Sequence, residues 1–279
     1  MTGYRITDAQ VHVWKESTPE RPWPPAEIPP QRVPPLGVPE LTGRMAGAGV
    51  HRCLLVPPTW EGSRNDYVLE AAAARPDRFG ALCRVAAHDP ADVERLAGWR
   101  QRRGMLGVRL SVNRGDTRRQ LDRALRSGFF ATMERYGVPL SLYAPRLHAE
   151  IRDLAESFPA LRITVDHLAV DSDGTPLRAA VEPLLPLAKL ANVAVKASAL
   201  PCFVREPYPF PSITDTVYAL VDAFGAERVF WGSDLSRLPC SYRELVDVFT
   251  GHLPRLDERE RRLVLGEALA TWLDWPDHP

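Results

Sequence analysis

Gln10, His12, His167 and Asp234 are the side chains whose types and placement could carry chemistry. Two histidines two apart on a strand point to one side and can grip a single metal ion. The stretch ITDAQVHVW, residues 6–14, offers half of that pair, as Gln10-Val11-His12. Three readings are open: a metal site short of one ligand, a hydrolytic site that works without metal, or a core strand that ends in histidine. His12 gains weight from His167 in VDHLAV and Asp234 in WGSDLS, each at the end of another apolar run. An aspartate so placed can take the proton of a water attacking a carbonyl, while histidines polarise the carbonyl oxygen or steer the water. The plainer alternatives are a hydrogen-bonded core histidine and an aspartate that caps the following helix.

The elements that must position these groups alternate along almost the whole chain. Eight short apolar, β-branched runs are RITDAQVHVW, HRCLLVPP, RFGALCRVA, MLGVRLSV, VPLSLYAP, LRITVDHLAV, NVAVKASAL and RVFWGSDLS. Amphipathic stretches lie between them, among them NDYVLEAAAARP, TRRQLDRALRSGFFATMERYG and SYRELVDVFTGHL, several fenced by Asn, Asp or Ser before and by Gly or Pro after. Repeated β-α units predict a parallel sheet, and eight of them in 279 residues predict one (β/α)8 barrel spanning residues 1–279. An open doubly wound sheet is the alternative, but no Gly-x-Gly-x-x-Gly or P-loop follows any strand. DERERRLVLGEALATWLDW reads as a closing helix over the barrel wall.

In such a barrel the reacting groups sit at the C-terminal ends of the strands. Those ends carry Gln10, His12 and Trp14; Trp60; Arg109; Tyr143; His167; Lys196 and Ser198; and Asp234. Arg109 either forks onto a substrate carboxylate or is tied to a core carboxylate.

Lys+Arg and Asp+Glu both number 35, so neither nucleic acid nor an anionic membrane is an expected partner. A small molecule is, and the chain leaves room for a homodimer. With no signal-like start and no apolar run of about 18 residues, the expected location is the cytoplasm. The four cysteines, Cys53, Cys83, Cys202 and Cys240, form no Cys-x-x-Cys pair and read as buried thiols. Nine prolines between Pro19 and Pro39 exclude a regular helix there, and Trp14 and Trp23 argue for a loop after strand one that packs on the body.

Taken in order, TDAQVHVW, NDYVLEAAAARPDRFGALCRVAAHDP, LGVRLSV, VDHLAV, NVAVKASAL and VFWGSDLS resemble successive strands of the amidohydrolase superfamily. The likeness is to the amidohydrolase-related group that includes 2-pyrone-4,6-dicarboxylate lactonase and sugar-lactone hydrolases. It implies a (β/α)8 barrel with His12, His167 and Asp234 at catalytic positions and Asp234 as general base. It implies Tyr143 in place of a further metal-favouring histidine, as in the metal-free lactonase branch.

Two departures refine this. Gln10 is a poor zinc ligand beside imidazole, so although His12, His167 and Asp234 alone could form a three-ligand open site, the expectation is no metal and no cofactor. Without a metal to acidify water, a lactone or activated ester fits better than an amide. KASALPCFVREPYPFPS lacks an early arginine after strand seven, which argues against a pyrone dicarboxylate and for a larger, more apolar ligand. Gln10, Tyr143, Arg109, Trp60, Trp14, Ser198 and Lys196 are the expected substrate contacts, with Trp23 in the covering loop. The alternatives are a metal-dependent decarboxylase or hydrolase of the same superfamily, and a non-hydrolytic protein that binds or steers a cyclisation.

Overall fold

A computed structural model describes residues 3–24, 30–113, 115–171 and 173–276. The eight strands are β1 (Ile6–His12), β2 (Val50–Val56), β3 (Phe79–Cys83), β4 (Met105–Ser111), β5 (Leu140–Tyr143), β6 (Ile163–Val165), β7 (Val193–Ser198) and β8 (Val229–Gly232). They form one sheet in the order β1 to β8, every adjacent pair parallel. Helices cover the outside, so the strands are buried on both faces and read as continuous apolar runs rather than alternating ones. The ring closes where the Asp234 N–H donates to the Gln10 carbonyl at 2.9 Å. That closing bond ties the first candidate strand end to the last.

Local chemistry sets the helix bounds. Ser241 and Glu244 form a reciprocal capping box that starts Tyr242–Gly251, a device that stabilises a helix start by about 1 kcal/mol. TRRQLDRALRSGFFATMERYG is two helices, Thr117–Arg126 and Phe129–Tyr136, rather than one. Gly128 separates them at φ 76°, a left-handed conformation that glycine adopts without steric cost.

The C-terminal stretch corrects its sequence reading. It runs as Glu258–Arg262, a wider turn over Leu263–Glu267, and Ala268–Trp272. Its apolar face closes the floor of the barrel, where Leu269, Leu273 and Trp275 cluster with Leu54, Leu82, Leu106 and Phe230. The fit is tight: a Cβ on Gly80 would lie 2.2 Å from Leu106 Cδ1 and 3.1 Å from Trp275. Apolar periodicity marked the helix but could not say which apolar surface it meets.

Part of the proline-rich segment, residues 25–29, lies outside the described residues. On either side the chain is tied down. The Trp23 indole donates to the Lys15 carbonyl at 2.9 Å, the Trp14 N–H donates to the Leu36 carbonyl at 3.3 Å, and Arg32 pairs with Glu40 at 2.8 Å.

Candidate active site

The structure brings His12, His167 and Asp234 together at the C-terminal end of the barrel. His12 Nε2 lies 3.6 Å from Asp234 Oδ1, and His167 Nε2 lies 4.0 Å from Asp234 Oδ2. All three are almost fully buried. His167 and Asp234 sit in left-handed backbone, at φ 50° and 51°. Leu168 and Ala169 continue that turn at φ 57° and 52°. Such backbone is costly away from glycine and persists where surrounding structure holds it, a pattern concentrated at working sites.

The histidines are neutral near pH 7. Burial lowers both to about 4, a pull that the negative charge of Asp234 only partly offsets. Asp234 stays ionised: burial alone would raise it, but His12, His167, Arg237 and Arg109 together bring it below its ordinary value. One oxygen of this carboxylate, Oδ1, is buried and accepts no hydrogen bond. Buried acceptors rarely remain unmatched, so this oxygen is free for a reacting molecule.

Each histidine is held by its other nitrogen. His12 Nδ1 donates to the Val56 carbonyl at 2.8 Å, which leaves Nε2 as the acceptor facing the site. His167 Nδ1 meets Ser198 Oγ at 2.9 Å, and the Tyr143 ring packs edge-on against the imidazole at 5.3 Å. The Tyr143 hydroxyl donates to the Val170 carbonyl at 3.0 Å. Ser198 and Tyr143, expected to touch substrate, are therefore placed against His167.

Gln10 is fully buried and engaged at both ends of its amide. Its Oε1 accepts from Lys196 Nζ at 3.0 Å and its Nε2 lies 3.4 Å from His12 Nε2. Lys196 also donates to Ser141 Oγ at 2.8 Å and pairs with Asp166 at 2.9 Å. Asp166 takes a further bond from Arg109 Nε at 2.8 Å. Burial would raise its pKa, but Lys196 and Arg109 outweigh that and hold it well below the usual carboxylate range. Of the two readings of Arg109, the tie to a core carboxylate is the one seen. Trp14 is buried edge-on against Trp60, their centroids 5.7 Å apart, and both indole N–H groups are shielded without a partner.

Three supports escaped the sequence reading. Asp8 accepts from Gln10 N at 3.0 Å, Ser233 N at 2.9 Å, Tyr242 OH at 2.6 Å and the Ser233 hydroxyl, pinning the residues beside Asp234. Burial raises its pKa to about 6 despite those donors. A charged residue inside an apolar strand was the available signal. Arg237 Nη1 lies 3.7 Å from Asp234 Oδ2, at i+3 and half-exposed. Ser141 carries no signal without the register of β5 against β6.

Among the described residues, no group of three or more His, Cys, Asp or Glu side chains is placed to hold a metal ion. The amide nitrogen of Gln10, a donor, faces His12, and the ammonium of Lys196 stands behind it. This donor set does not fit a tightly held zinc ion.

Comparison with known proteins places the geometry. A sequence profile of a family described as Amidohydrolase matches residues 7–272. L-fucono-1,5-lactonase of Burkholderia ambifaria is 28% identical over 247 residues, 84% of this chain and 82% of that protein. Among solved structures, an amidohydrolase of Burkholderia multivorans with bound zinc superposes at a TM-score of 0.79 with 21% identity, covering 97% of this chain and 99% of that one. A putative 2-pyrone-4,6-dicarboxylic acid hydrolase of Pseudomonas putida gives 0.70 with 21% identity over 98% of each. These structural likenesses show the eight-stranded barrel.

Proposed function

The chain belongs to the amidohydrolase family, and on that footing we propose that it hydrolyses a lactone or similarly activated cyclic ester, with Asp234 as general base and without a bound metal. The observation that carries the reading is the buried Asp234 carboxylate between two neutral imidazoles, with its Oδ1 unpartnered. The similarity to L-fucono-1,5-lactonase supports the choice of a lactone.

In this reading a water accepts orientation from His12 and His167 and gives a proton to Asp234 Oδ1 as its oxygen attacks the carbonyl carbon. His167, with Nδ1 accepting from Ser198, presents an Nε2–H donor to the developing oxyanion. As the tetrahedral species collapses, the ring C–O bond breaks and the departing alkoxide takes the proton back from Asp234. The products are a hydroxy acid and the regenerated carboxylate. Asp234 is available for this at neutral pH because it is ionised, and the histidines serve as hydrogen-bonding groups because they are not.

The test is a panel of five- and six-membered lactones. Asp234→Asn should lower turnover by about 10²–10⁴-fold, the range of a general base, with the far-ultraviolet circular dichroism unchanged. Chelators should leave turnover intact and metal analysis should find less than one equivalent. Wild-type turnover in the Asn variant would overturn the base assignment. Stoichiometric zinc whose removal abolishes activity would overturn the metal-free chemistry.

A further inference from the structure

Arg84 follows β3 and its backbone is fixed by one side chain. Its N–H donates to Asn65 Oδ1 at 2.7 Å and its carbonyl accepts from Asn65 Nδ2 at 2.8 Å. Two of its guanidinium donors are not held. Nε and Nη1 are shielded from solvent and donate to nothing, and no carboxylate pairs with Arg84 among the described residues. Burial, reinforced by the charge of Arg109, lowers its pKa to about 9.

A half-buried guanidinium with two donors shielded from water and unmatched is costly unless something supplies the missing acceptors. The protein does not. Asp92 shares a cavity of about 160 Å³ with Arg84, but its oxygens are taken by Ala86 N at 2.9 Å, Ser63 Oγ at 3.1 Å and Arg95 Nη1 at 2.7 Å. Arg84 also borders a larger cavity of about 480 Å³, walled by Ser63, His88, Leu110, Gln120 and Arg123. No acidic side chain lines that cavity among the described residues. Arg123, on the helix Thr117–Arg126, likewise has no ion pair there. Leu110 and Val112 alternate along the chain with Arg109 and Ser111, so this cavity backs onto the face of β4 opposite the Arg109–Asp166 pair. It is a separate place from the histidine and aspartate cluster.

We propose that this cavity is an anion-binding site, in which the guanidinium of Arg84, with Arg123 at its edge, receives a carboxylate or phosphate group of a small molecule. The unpartnered Nε and Nη1 donors lie on different edges of the guanidinium, each shared with Nη2, so an oxygen of such a group can dock at either edge. The pocket is large enough for more than the anion itself, so the group belongs to an organic molecule of modest size.

Isothermal titration and thermal unfolding with inorganic phosphate and with citrate, at ionic strength fixed by sodium chloride, test the site. Wild type should bind at least one of them saturably. Arg84→Met should weaken that binding at least tenfold, Arg84→Lys less, and Arg84→Met without anion should melt no lower than wild type. Binding that persists undiminished in Arg84→Met, or a melting shift that chloride reproduces, would overturn the proposal. So would an Arg84→Met protein that fails to fold, because the guanidinium would then have partners within the protein. These binding arms do not depend on the lactonase reading. The source of the anion is read by comparing a neutral lactone with a carboxylated one. A rise in KM confined to the carboxylated lactone in Arg84→Met assigns the site to substrate, and unchanged KM values with phosphate or citrate binding lost assign it to a second ligand.

Discussion

Replacing Lys196 by Met removes the cation on which the inner polar network converges. Lys196 Nζ holds Gln10 Oε1 at 3.0 Å, Ser141 Oγ at 2.8 Å and Asp166 at 2.9 Å, all within the buried barrel. Removing one partner of a buried ion pair typically costs about 3–5 kcal/mol. Leaving Gln10 Oε1 buried without a donor costs about 1–3 kcal/mol more. Asp166 keeps Arg109 and Ser141, which places the pair cost at its lower end, and the methionine side chain fills most of the vacated volume. The expected destabilisation is therefore about 4 kcal/mol, measured by urea unfolding at pH 7. Freed from Lys196, the Gln10 amide no longer has a fixed orientation toward His12, so kcat should fall about 10- to 100-fold, or about 1.4–2.8 kcal/mol, with KM little changed. Gln10→Leu should reproduce the loss of kcat with a smaller loss of stability. A stability change below about 1 kcal/mol would refute the network energetics. A full loss of stability with unaltered kcat would refute the link from Lys196 through Gln10 to His12.

Acidification should destabilise the fold, because burial lowers His12 and His167 from 6.5 to about 4. Each contributes stability that is complete above 6.5 and lost as pH falls toward 4, about 3 kcal/mol apiece. Asp8, raised from 3.8 to about 6 by burial, works in the opposite sense: its contribution of about 3 kcal/mol is present below 3.8 and lost as pH rises through 6. Urea unfolding at pH 7 and 4.5 should show a net loss of about 3 kcal/mol on acidification, smaller in His167→Gln, and a flat or rising profile would contradict neutral burial of the histidines. Activity should follow, with kcat/KM level from pH 6 to 8 and declining toward pH 4 as the histidines charge. Gln10→His restores the His-x-His spacing but leaves Lys196 facing the new ring, so metal analysis after zinc loading should find well under one equivalent. Stoichiometric, chelator-resistant zinc in that variant would show that residue 10 alone decides metal binding.

The barrel was legible because its signal is periodic. Eight apolar runs separated by amphipathic stretches leave few ways to bury both sheet faces, and the order β1 to β8 follows from short right-handed crossovers. What periodicity could not supply was the surface each apolar face meets, which is why the C-terminal helix lies on the floor, against Leu106 and Phe230, and not on the wall. Nor could it find the break at Gly128, since the residues on either side keep a helical pattern.

His12, His167 and Asp234 were legible for a related reason: a polar residue that ends an apolar strand must face either the mouth or a partner, and three such ends in one barrel converge. Whether a neighbouring polar group supports or touches substrate depends on partners far away in sequence. Ser198 and His167 are 31 residues apart, Lys196 and Gln10 are 186 apart, and only the strand register joins them. That register changes the meaning of the residue at position 10. A glutamine offers an acceptor to the Lys196 ammonium and a donor to the His12 imidazole from one side chain, so it passes the effect of a fixed internal cation to a neutral histidine. In a site where Lys196 already stands behind position 10, a metal would be a second positive charge in the same low-dielectric space, which is why the proposed metal-free chemistry and an amide at position 10 go together.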